Sequence, residues 1–172
     1  MSVPRAFGFV VAFILVASCE AGATSSPTTP PTGAVEPNAT VDYIVDGDTI
    51  DVVIDGRVER VRLIGIDTPE TKRPDTEVEC YGPEATAYIT SLLPVGTPIR
   101  LERDTVNRDD FGRLLGYVYR ADDGIFVNYE IVRQGFAQPL TIEPNTSHAE
   151  LIVDASRAAE QSDLGLWGAC SG

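Results

Sequence analysis

Residues 41–66 read VDYIVDGDTIDVVIDGRVERVRLIGI, and this stretch decides the fold. Apolar and polar residues alternate over residues 41–45, 50–54 and 58–66, which is the pattern of strands with one buried face. Asp55-Gly56 stands between the second and third segments, and an Asp-Gly pair is a strong hairpin-turn signal. The stretch therefore predicts a meander of three β-strands.

Two more strands are predicted further along the chain, at residues 99–103 and 114–119, where the alternation returns. The connections between the strands are too short for the repeated crossovers that a parallel sheet requires. The sequence therefore favours an α+β, mainly β fold. We expect a five-stranded Greek-key barrel of the OB type, closed or partly open, with about three helices.

Local start and stop signals mark the predicted helices. Gly82-Pro83-Glu84 begins the first helix, since proline is favoured in the first helical turn. Asn128 is a candidate cap for a short second helix that ends at Gly135. Ser147 and Glu150 have the spacing of a capping box at the start of the last helix.

The N-terminus has the features of an export signal. Arg5 precedes an apolar run at residues 6–17, which is shorter than the ~20 residues of a membrane-spanning helix. Residues 16–19 read Val-Ala-Ser-Cys and resemble a bacterial lipobox, in which the cysteine is lipidated after cleavage. We expect a lipoprotein signal peptide at 1–18 and an exported protein held at the cell surface by lipid on Cys19. The alternatives are a chance cysteine at the end of an uncleaved or ordinarily cleaved signal, and a protein that is secreted.

Residues 20–40 are rich in Thr, Pro, Ser, Ala and Gly, with no aromatic and almost no branched aliphatic side chains. Such a segment lacks the apolar surface needed to fold. We therefore predict a disordered tether at 19–40, beginning at the lipidated cysteine, and one folded domain at 41–172. The lipid would be the only membrane contact of the mature chain.

Two cysteines, Cys80 and Cys170, remain in the predicted domain. An even number of cysteines in an exported domain favours a disulfide, because the compartment is oxidising. We predict a Cys80–Cys170 bridge. Two buried free thiols are the alternative, since cysteine also behaves as a small apolar residue.

The chain is strongly acidic. It carries 26 Asp and Glu against 13 Lys and Arg, a formal net charge of −13. The charged residues before residue 41 are Arg5, Glu20 and Glu36, so the predicted domain carries a formal net charge of −12. Nucleic-acid-binding domains are usually basic.

Two short segments concentrate oxygen donors next to strands. Asp46-Gly47-Asp48-Thr49 holds two carboxylates in a tight glycine turn, and oxygen-rich turns suit Ca²⁺. Asp67-Thr68-Pro69-Glu70 ends the third strand segment, where Pro69 fixes its own φ and restricts Thr68. The carboxylates and the Thr68 carbonyl would be held in a defined turn, as a metal site requires.

Two arginines could complete a site for a phosphate. Arg62 lies in the third strand segment, and Arg113 directly precedes the strand at 114–119. A planar guanidinium suits phosphate because it binds two oxygens at once. Each pattern alone is common, since Asp-Gly-Asp occurs in many solvated turns and arginines at strand ends usually form ion pairs.

Together, and in this order, the motifs resemble those of the staphylococcal nuclease (thermonuclease) family. The resemblance rests on residues 45–49, 62–70, 81–85 and 109–113, and it continues through 127–128, 140–145 and 165–167. It covers essentially all of residues 41–172 and nothing before them. It implies an OB barrel with three helices and an enzyme that hydrolyses phosphodiester bonds of DNA and/or RNA with one Ca²⁺.

The resemblance also implies a role for each residue of the site. Asp48 and Asp67 would be carboxylate ligands of the Ca²⁺, Thr68 a backbone carbonyl ligand, and Asp46 a neighbour that does not bind the ion. Glu70 would be the general base, or alternatively a third ligand. Two further residues, Arg62 and Arg113, would stabilise the charge on the phosphate in the transition state. Cleavage on the 5′-oxygen side would leave a 3′-phosphate, and a monomer is expected.

The chain departs from the family pattern where the substrate is held. Residues 140–143 read Leu-Thr-Ile-Glu, and Phe111 precedes Gly112, where the best-studied members have tyrosines that contact the nucleotide. Asp110 replaces a basic residue. Base stacking is therefore expected to be weaker or moved, and Asp110 is expected to repel a phosphate on the 3′ side.

Two other functions are compatible with an anchored OB barrel. One is a non-catalytic surface module that binds Ca²⁺ or oligonucleotides, and the other is a structural lipoprotein with a stabilising metal. Neither would need Glu70 together with Arg62 and Arg113, so their presence favours the enzyme. His148, the only histidine, is interpreted as a surface or capping residue, and Tyr117, Tyr119, Phe126 and Trp167 as packing residues.

Overall fold

A computed structural model describes Met1, residues 33–72 and residues 77–170 of the chain. The predicted signal peptide after Met1, the predicted lipid attachment at Cys19 and the tether as far as residue 32 lie outside the described residues. No helix in the described part of the chain is both long and apolar enough to cross a membrane.

Five strands close into a barrel in the order β1-β2-β3-β6-β5, and two short strands form a separate antiparallel pair, β4-β7. The strands are β1 (Ala39–Ile44), β2 (Thr49–Ile54), β3 (Arg57–Leu63), β4 (Gly65–Asp67), β5 (Pro98–Glu102), β6 (Leu114–Arg120) and β7 (Gln138–Leu140). The predicted five-stranded barrel is thus confirmed. Its closure leaves no open edge among these five strands.

Four helices pack around the barrel within the described residues. They are α1 (Gly82–Leu92), α2 (Val127–Arg133), α3 (Ala149–Gln161) and the single turn α4 (Leu166–Ala169). Each of the three longer helices has a completely buried isoleucine, Ile89, Ile131 and Ile152 respectively. These side chains belong to the same core as the inward-facing residues of the barrel.

The third predicted strand is shorter than the alternation suggested. β3 ends at Leu63, and Gly65 turns the chain into β4 with a φ of +81°. A Cβ at Gly65 would come within 2.7 Å of the Ile152 side chain, so the turn needs glycine for both backbone conformation and space. This break redirects the residues that follow, including Asp67.

The parallel pairing of β3 with β6 brings the two predicted arginines to one region of the sheet. Val61 pairs with Leu114, the residue after Arg113, and Arg62 pairs with Leu115. All other pairs in the barrel are antiparallel. The two arginines are therefore neighbours across β3 and β6 although they are far apart in sequence.

The folded domain begins before the predicted boundary at residue 41. Thr40 lies inside β1, and the side chain of Asn38 accepts from the Leu101 N–H at 2.7 Å and donates to the Leu101 carbonyl at 2.9 Å. Further back, the Gly33 N–H donates to the Asp123 carbonyl at 3.0 Å. These hydrogen bonds hold residues 33–38 to the barrel, and the composition of the segment does not predict them.

The predicted disulfide is present, with Cys80 bonded to Cys170. Cys80 lies two residues before α1, and Cys170 directly follows α4. The bridge therefore joins the start of the first helix to the last described residue of the chain.

The predicted caps of α2 and α3 are wrong. Asn128 lies inside α2, whose N-cap is Phe126, and its side chain is completely buried. The Ser147 hydroxyl donates to Asp104 at 2.9 Å, and His148 is the N-cap of α3 without a side-chain capping bond. In both places the side chain that local spacing predicts as a cap forms a long-range hydrogen bond instead.

Candidate active site

Asp48 and Thr68 are joined directly, although 20 residues separate them. Asp48 Oδ2 accepts hydrogen bonds from both the N–H and the hydroxyl of Thr68, each at 3.0 Å. Gly47 permits this approach, because a Cβ there would lie 2.7 Å from Thr68 Oγ1. The glycine turn before β2 therefore fixes a buried carboxylate against the segment that follows β4.

Arg62 connects the two predicted carboxylate ligands. Its Nη2 donates to Asp67 Oδ1 at 2.8 Å and lies 3.1 Å from Asp48 Oδ2. Its Nη1 donates to the carbonyl groups of Leu63 and Ile66, at 2.6 and 2.9 Å. With its side chain only 14% exposed, the guanidinium is fixed among four acceptors.

The short β4-β7 pair positions Asp67. Asp67 pairs with Gln138, and its side chain remains 59% exposed. The turn at Ile64 and Gly65 lets β4 leave the barrel while the Ile66 carbonyl stays within reach of Arg62. Asp67 is thus held beside a partly buried arginine with its carboxylate still accessible to solvent.

The geometry fits a cation bound by oxygen. Both Asp48 and Asp67 approach the same nitrogen of Arg62, so the space between the two carboxylates already attracts positive charge. No group of three or more His, Cys, Asp or Glu side chains suited to a metal is found in the described residues. A Ca²⁺ here would take two carboxylates and complete its 6–8 oxygen ligands with carbonyl groups and water.

Asp46 adds negative charge to the same turn. Its Oδ1 accepts the Asp48 N–H at 3.2 Å. Burial, and then the nearby charge of Asp48, raise the pKa of Asp46 above its ordinary value. A cation beside Asp48 would relieve this repulsion.

Glu70 lies three residues after Asp67, and its carboxylate turns back on its own loop. Glu70 Oε1 accepts the N–H groups of Thr71 and Lys72, at 2.9 and 2.8 Å. Direct contacts therefore join Asp48, Asp67, Thr68 and Arg62, and Glu70 follows Asp67 by three residues in the chain.

A groove of about 530 Å³ opens beside Arg62, whereas Asp48, Asp67, Thr68 and Glu70 are not among the residues that line it. Both Arg62 and Arg113 line it. Arg113 Nε donates to Asp109 Oδ2 at 2.7 Å. Partial burial opposes ionisation of Asp109, but the hydrogen bonds and the charge of Arg113 outweigh it and lower the pKa of that carboxyl. Asp109 is therefore a charged partner that orients Arg113.

Apolar side chains form another part of the groove. Phe111 and Ile142 are 85% and 65% exposed, and Leu140 is 37% exposed. The Arg113 guanidinium lies 5.4 Å from the centroid of the Phe111 ring. Exposed apolar residues around a groove commonly mark a place where a ligand packs. Two carboxylates, Asp110 and Glu143, line the same groove.

Asn128 supports the site, and sequence reasoning missed this role. Its side chain accepts the Val118 N–H at 2.9 Å and donates to the Ile64 carbonyl at 2.8 Å. It therefore ties the turn between β3 and β4 to β6. The available signal was its position between apolar residues of α2, which predicts burial rather than a cap.

His148 lies away from the groove residues and packs among aromatic rings. Its ring meets the edge of Tyr117 with centroids 4.5 Å apart, and Phe126 at 4.9 Å. Burial lowers the pKa of His148. Tyr117, Tyr119 and Phe126 are themselves buried, which confirms that they serve packing.

The chain is similar in sequence to proteins named as nucleases. The family model described as staphylococcal nuclease homologue matches residues 60–169. A thermonuclease of Staphylococcus intermedius is 39% identical over 127 residues, which are 74% of this chain and 74% of the relative. A thermonuclease of Staphylococcus hyicus is 34% identical over 160 residues, covering 92% and 93%. Endonuclease YncB of Bacillus subtilis is 37% identical over 132 residues, covering 76% and 61%. The chain therefore belongs to the staphylococcal nuclease family.

Proposed function

We propose that this protein is a Ca²⁺-dependent nuclease that hydrolyses phosphodiester bonds of DNA and/or RNA. Its family is one of hydrolases that act on nucleic acid, and its relatives include thermonucleases and an endonuclease. One observation carries the proposal. Arg62 contacts both Asp48 and Asp67 and lines the same groove as Arg113.

The proposed Ca²⁺ ligands are the carboxylates of Asp48 and Asp67 and the backbone carbonyl of Thr68. When bound, the ion would supply Lewis acidity and neutralise charge on the phosphate. The N–H and hydroxyl of Thr68 are both used by Asp48, which keeps this segment in place. Neutralising the two carboxylates would weaken their hold on Arg62 Nη2 and release this donor for the phosphate.

The two arginines would stabilise the negative charge that develops on the non-bridging phosphate oxygens. Both have fixed partners, since Arg62 is held by carbonyl groups and Arg113 by Asp109 through Nε. Donors that are already oriented need no rearrangement when charge develops, which is the basis of electrostatic catalysis. The Nη groups of Arg113 take no part in its bond to Asp109.

Glu70 would take a proton from the attacking water. The water oxygen would then bond to phosphorus while the bond from phosphorus to the 5′-oxygen breaks. The departing 5′-oxygen would take a proton from solvent water, leaving a 3′-phosphate and a 5′-hydroxyl. The hydrogen bonds from the N–H groups of Thr71 and Lys72 hold the Glu70 carboxylate in place. If Glu70 is instead a ligand, Glu70→Gln should weaken Ca²⁺ binding as much as it lowers the rate.

The exposed apolar residues of the groove, Phe111, Leu140 and Ile142, would pack against the base or sugar of a nucleotide. This arrangement offers contact area without hydroxyl groups that hydrogen-bond a particular base. We therefore expect weak sequence preference.

The experiment is a cleavage assay with the purified mature protein. Single-stranded and duplex DNA and RNA are each incubated with Ca²⁺ and then with a chelator. We expect Ca²⁺-dependent cleavage of at least one substrate and its loss in Glu70→Gln. Binding of Ca²⁺ or oligonucleotide without cleavage of any substrate would sink the proposal and favour a binding module.

We also propose that the protein is exported as a monomer and anchored through lipid on Cys19. The support is the signal-like N-terminus and the disulfide of the domain, which suits an oxidising compartment. Mass spectrometry of the membrane fraction should find an acylated Cys19. Cys19→Ala should release the protein to the medium, and gel filtration should give the mass of one chain.

A further inference from the structure

We infer that Glu79 is a positioning residue for Glu70, and that the Cys80–Cys170 disulfide holds Glu79 in place. The inference rests on the proposed role of Glu70 as the base. It concerns a residue that contacts neither the proposed metal ligands nor the groove.

Glu79 binds the backbone of Glu70 at two points. Its side-chain Oε2 accepts the Glu70 N–H at 2.9 Å, and its own N–H donates to the Glu70 carbonyl at 2.9 Å. The two bonds fix the peptide groups on both sides of the Glu70 Cα. Because the Cα–Cβ direction follows from these peptide groups, Glu79 sets the direction in which the Glu70 side chain leaves the backbone.

The close packing of Gly82 limits movement of the same loop. A Cβ at Gly82 would lie 3.0 Å from the Pro69 carbonyl oxygen and 3.2 Å from that of Glu70. The Gly82 N–H donates to the Glu79 carbonyl at 3.1 Å, so the chain turns directly from Glu79 into α1. The first turn of α1 therefore lies against the backbone that carries the proposed base.

The disulfide connects this contact to the body of the domain. Cys80, the neighbour of Glu79, is bonded to Cys170 at the end of α4. In turn, the N–H of the buried Leu166 in α4 donates to the Gly135 carbonyl at 2.8 Å. Exposed hydrogen bonds compete with water, so a covalent link beside them keeps the Glu70–Glu79 contact formed for more of the time.

The test compares Glu79→Ala with Glu79→Gln, which keeps an acceptor oxygen. Misplacing a catalytic group by about 1 Å costs about 10²-fold in rate, so we expect Glu79→Ala to lower kcat about 10- to 100-fold. KM should stay near the wild-type value, and Glu79→Gln should restore most of the rate. Glu77→Ala is the matched control, because it removes an exposed carboxylate of the same segment outside this contact.

A second measurement does not depend on activity. Hydrogen exchange of the Glu70 amide, followed by NMR, should be faster in Glu79→Ala and after removal of the disulfide in Cys80→Ser/Cys170→Ser. It should stay slow in Glu79→Gln and Glu77→Ala. If wild-type protein cleaves nothing, the proposed function fails while this exchange still reports whether Glu79 holds Glu70.

Three results would overturn the inference. The first is wild-type kcat in Glu79→Ala. The second is a slow enzyme whose Glu70 amide exchanges as in wild type, and the third is no rescue by Glu79→Gln, which would make the charge of Glu79 the important property. Circular dichroism of each variant establishes that the barrel is folded.

Discussion

Arg62 donates to the Asp67 carboxylate and to two backbone carbonyl groups and forms an ion pair with Asp48, so its guanidinium is oriented before any substrate arrives. Arg113 has a different support, a single carboxylate partner at Asp109 and the ring of Phe111. The guanidinium of Arg113 is therefore held by fewer partners than that of Arg62. Arg113 is the better residue for testing phosphate stabilisation, because its removal leaves the proposed metal ligands and their contacts intact.

Arg113→Ala should lower kcat about 10²- to 10³-fold, the usual cost of removing one oriented donor from a transition state. Steady-state cleavage kinetics measure this, with thermal unfolding as a check on the fold. Arg157→Ala is the control, since Arg157 is an exposed arginine of α3 that pairs with Asp154. Equal rates for the two variants would contradict the role of Arg113.

Asn128→Ala should lower the free energy of unfolding by about 2–4 kcal/mol, because it leaves the buried Val118 N–H and Ile64 carbonyl without this partner. Urea denaturation measures the change. Asn107→Ala removes an exposed asparagine side chain and should have little effect. A similar stability for both variants would show that Asn128 is not needed to tie the β3–β4 turn to β6.

At the level of elements, strand periodicity predicted all five barrel strands, because each has one face in the core. The alternation could not predict where β3 ends, since Ile64 and Ile66 continue the apolar pattern across the turn. It also missed β4 and β7, which have three residues each. Their pairing depends on a long-range contact between Asp67 and Gln138 that no local pattern encodes.

The residues of the candidate site could be named from short motifs, whereas their contacts could not. Nothing local to Arg62 indicates that it joins Asp48 to Asp67, because this requires the turn after β3. The spacing of Glu79 from the motif residues likewise does not predict its contact with Glu70. Asn128 was misassigned because asparagine near a helix start usually suggests a cap, and burial overrode that preference.

Because of His148, at the start of α3, the free energy of unfolding should depend on pH. Burial lowers the pKa of His148, although Glu102 and Asp104 act in the opposite direction. The unfolded chain therefore binds this proton more readily than the folded protein. The contribution of His148 to stability is full above about pH 6.5 and is lost as the pH falls through the lower, folded-state pKa.

The corresponding measurement is the free energy of unfolding of wild type and His148→Phe. Between about pH 7 and pH 5.5, the wild-type value should fall more steeply, because only wild type has a histidine to protonate. Carboxyl groups titrate in both proteins and cancel in the comparison. Parallel curves would contradict a lowered pKa for His148.

For the molecule as a whole, the excess of acidic residues opposes the approach of a polyanion. Local arginines, and the proposed Ca²⁺, would have to reverse this field over a short distance. Asp110 and Glu143 line the groove itself, so their charges act where a neighbouring phosphate would pass. The position of a charge relative to the groove should therefore affect substrate binding more than the net charge of the protein does.

Asp110→Lys should lower KM for DNA and make KM more sensitive to salt. One added phosphate contact changes the slope of log affinity against log salt by about −0.7 to −0.9. Asp122→Lys is the matched control, because it makes the same change in net charge in the turn after β6. Kinetics at several salt concentrations test this, and equal effects of both substitutions would show that only net charge counts.

The contact between Gly33 and Asp123 places residue 33 beside the end of β6. Asp123 lies just after β6, whereas Arg113 lies just before it. A strand of this length spans about 20 Å at ~3.3 Å per residue. Gly33 and the groove are therefore at opposite ends of β6. If Cys19 carries the proposed lipid, the tether would join the domain at the end far from the groove and would leave the groove open to nucleic acid.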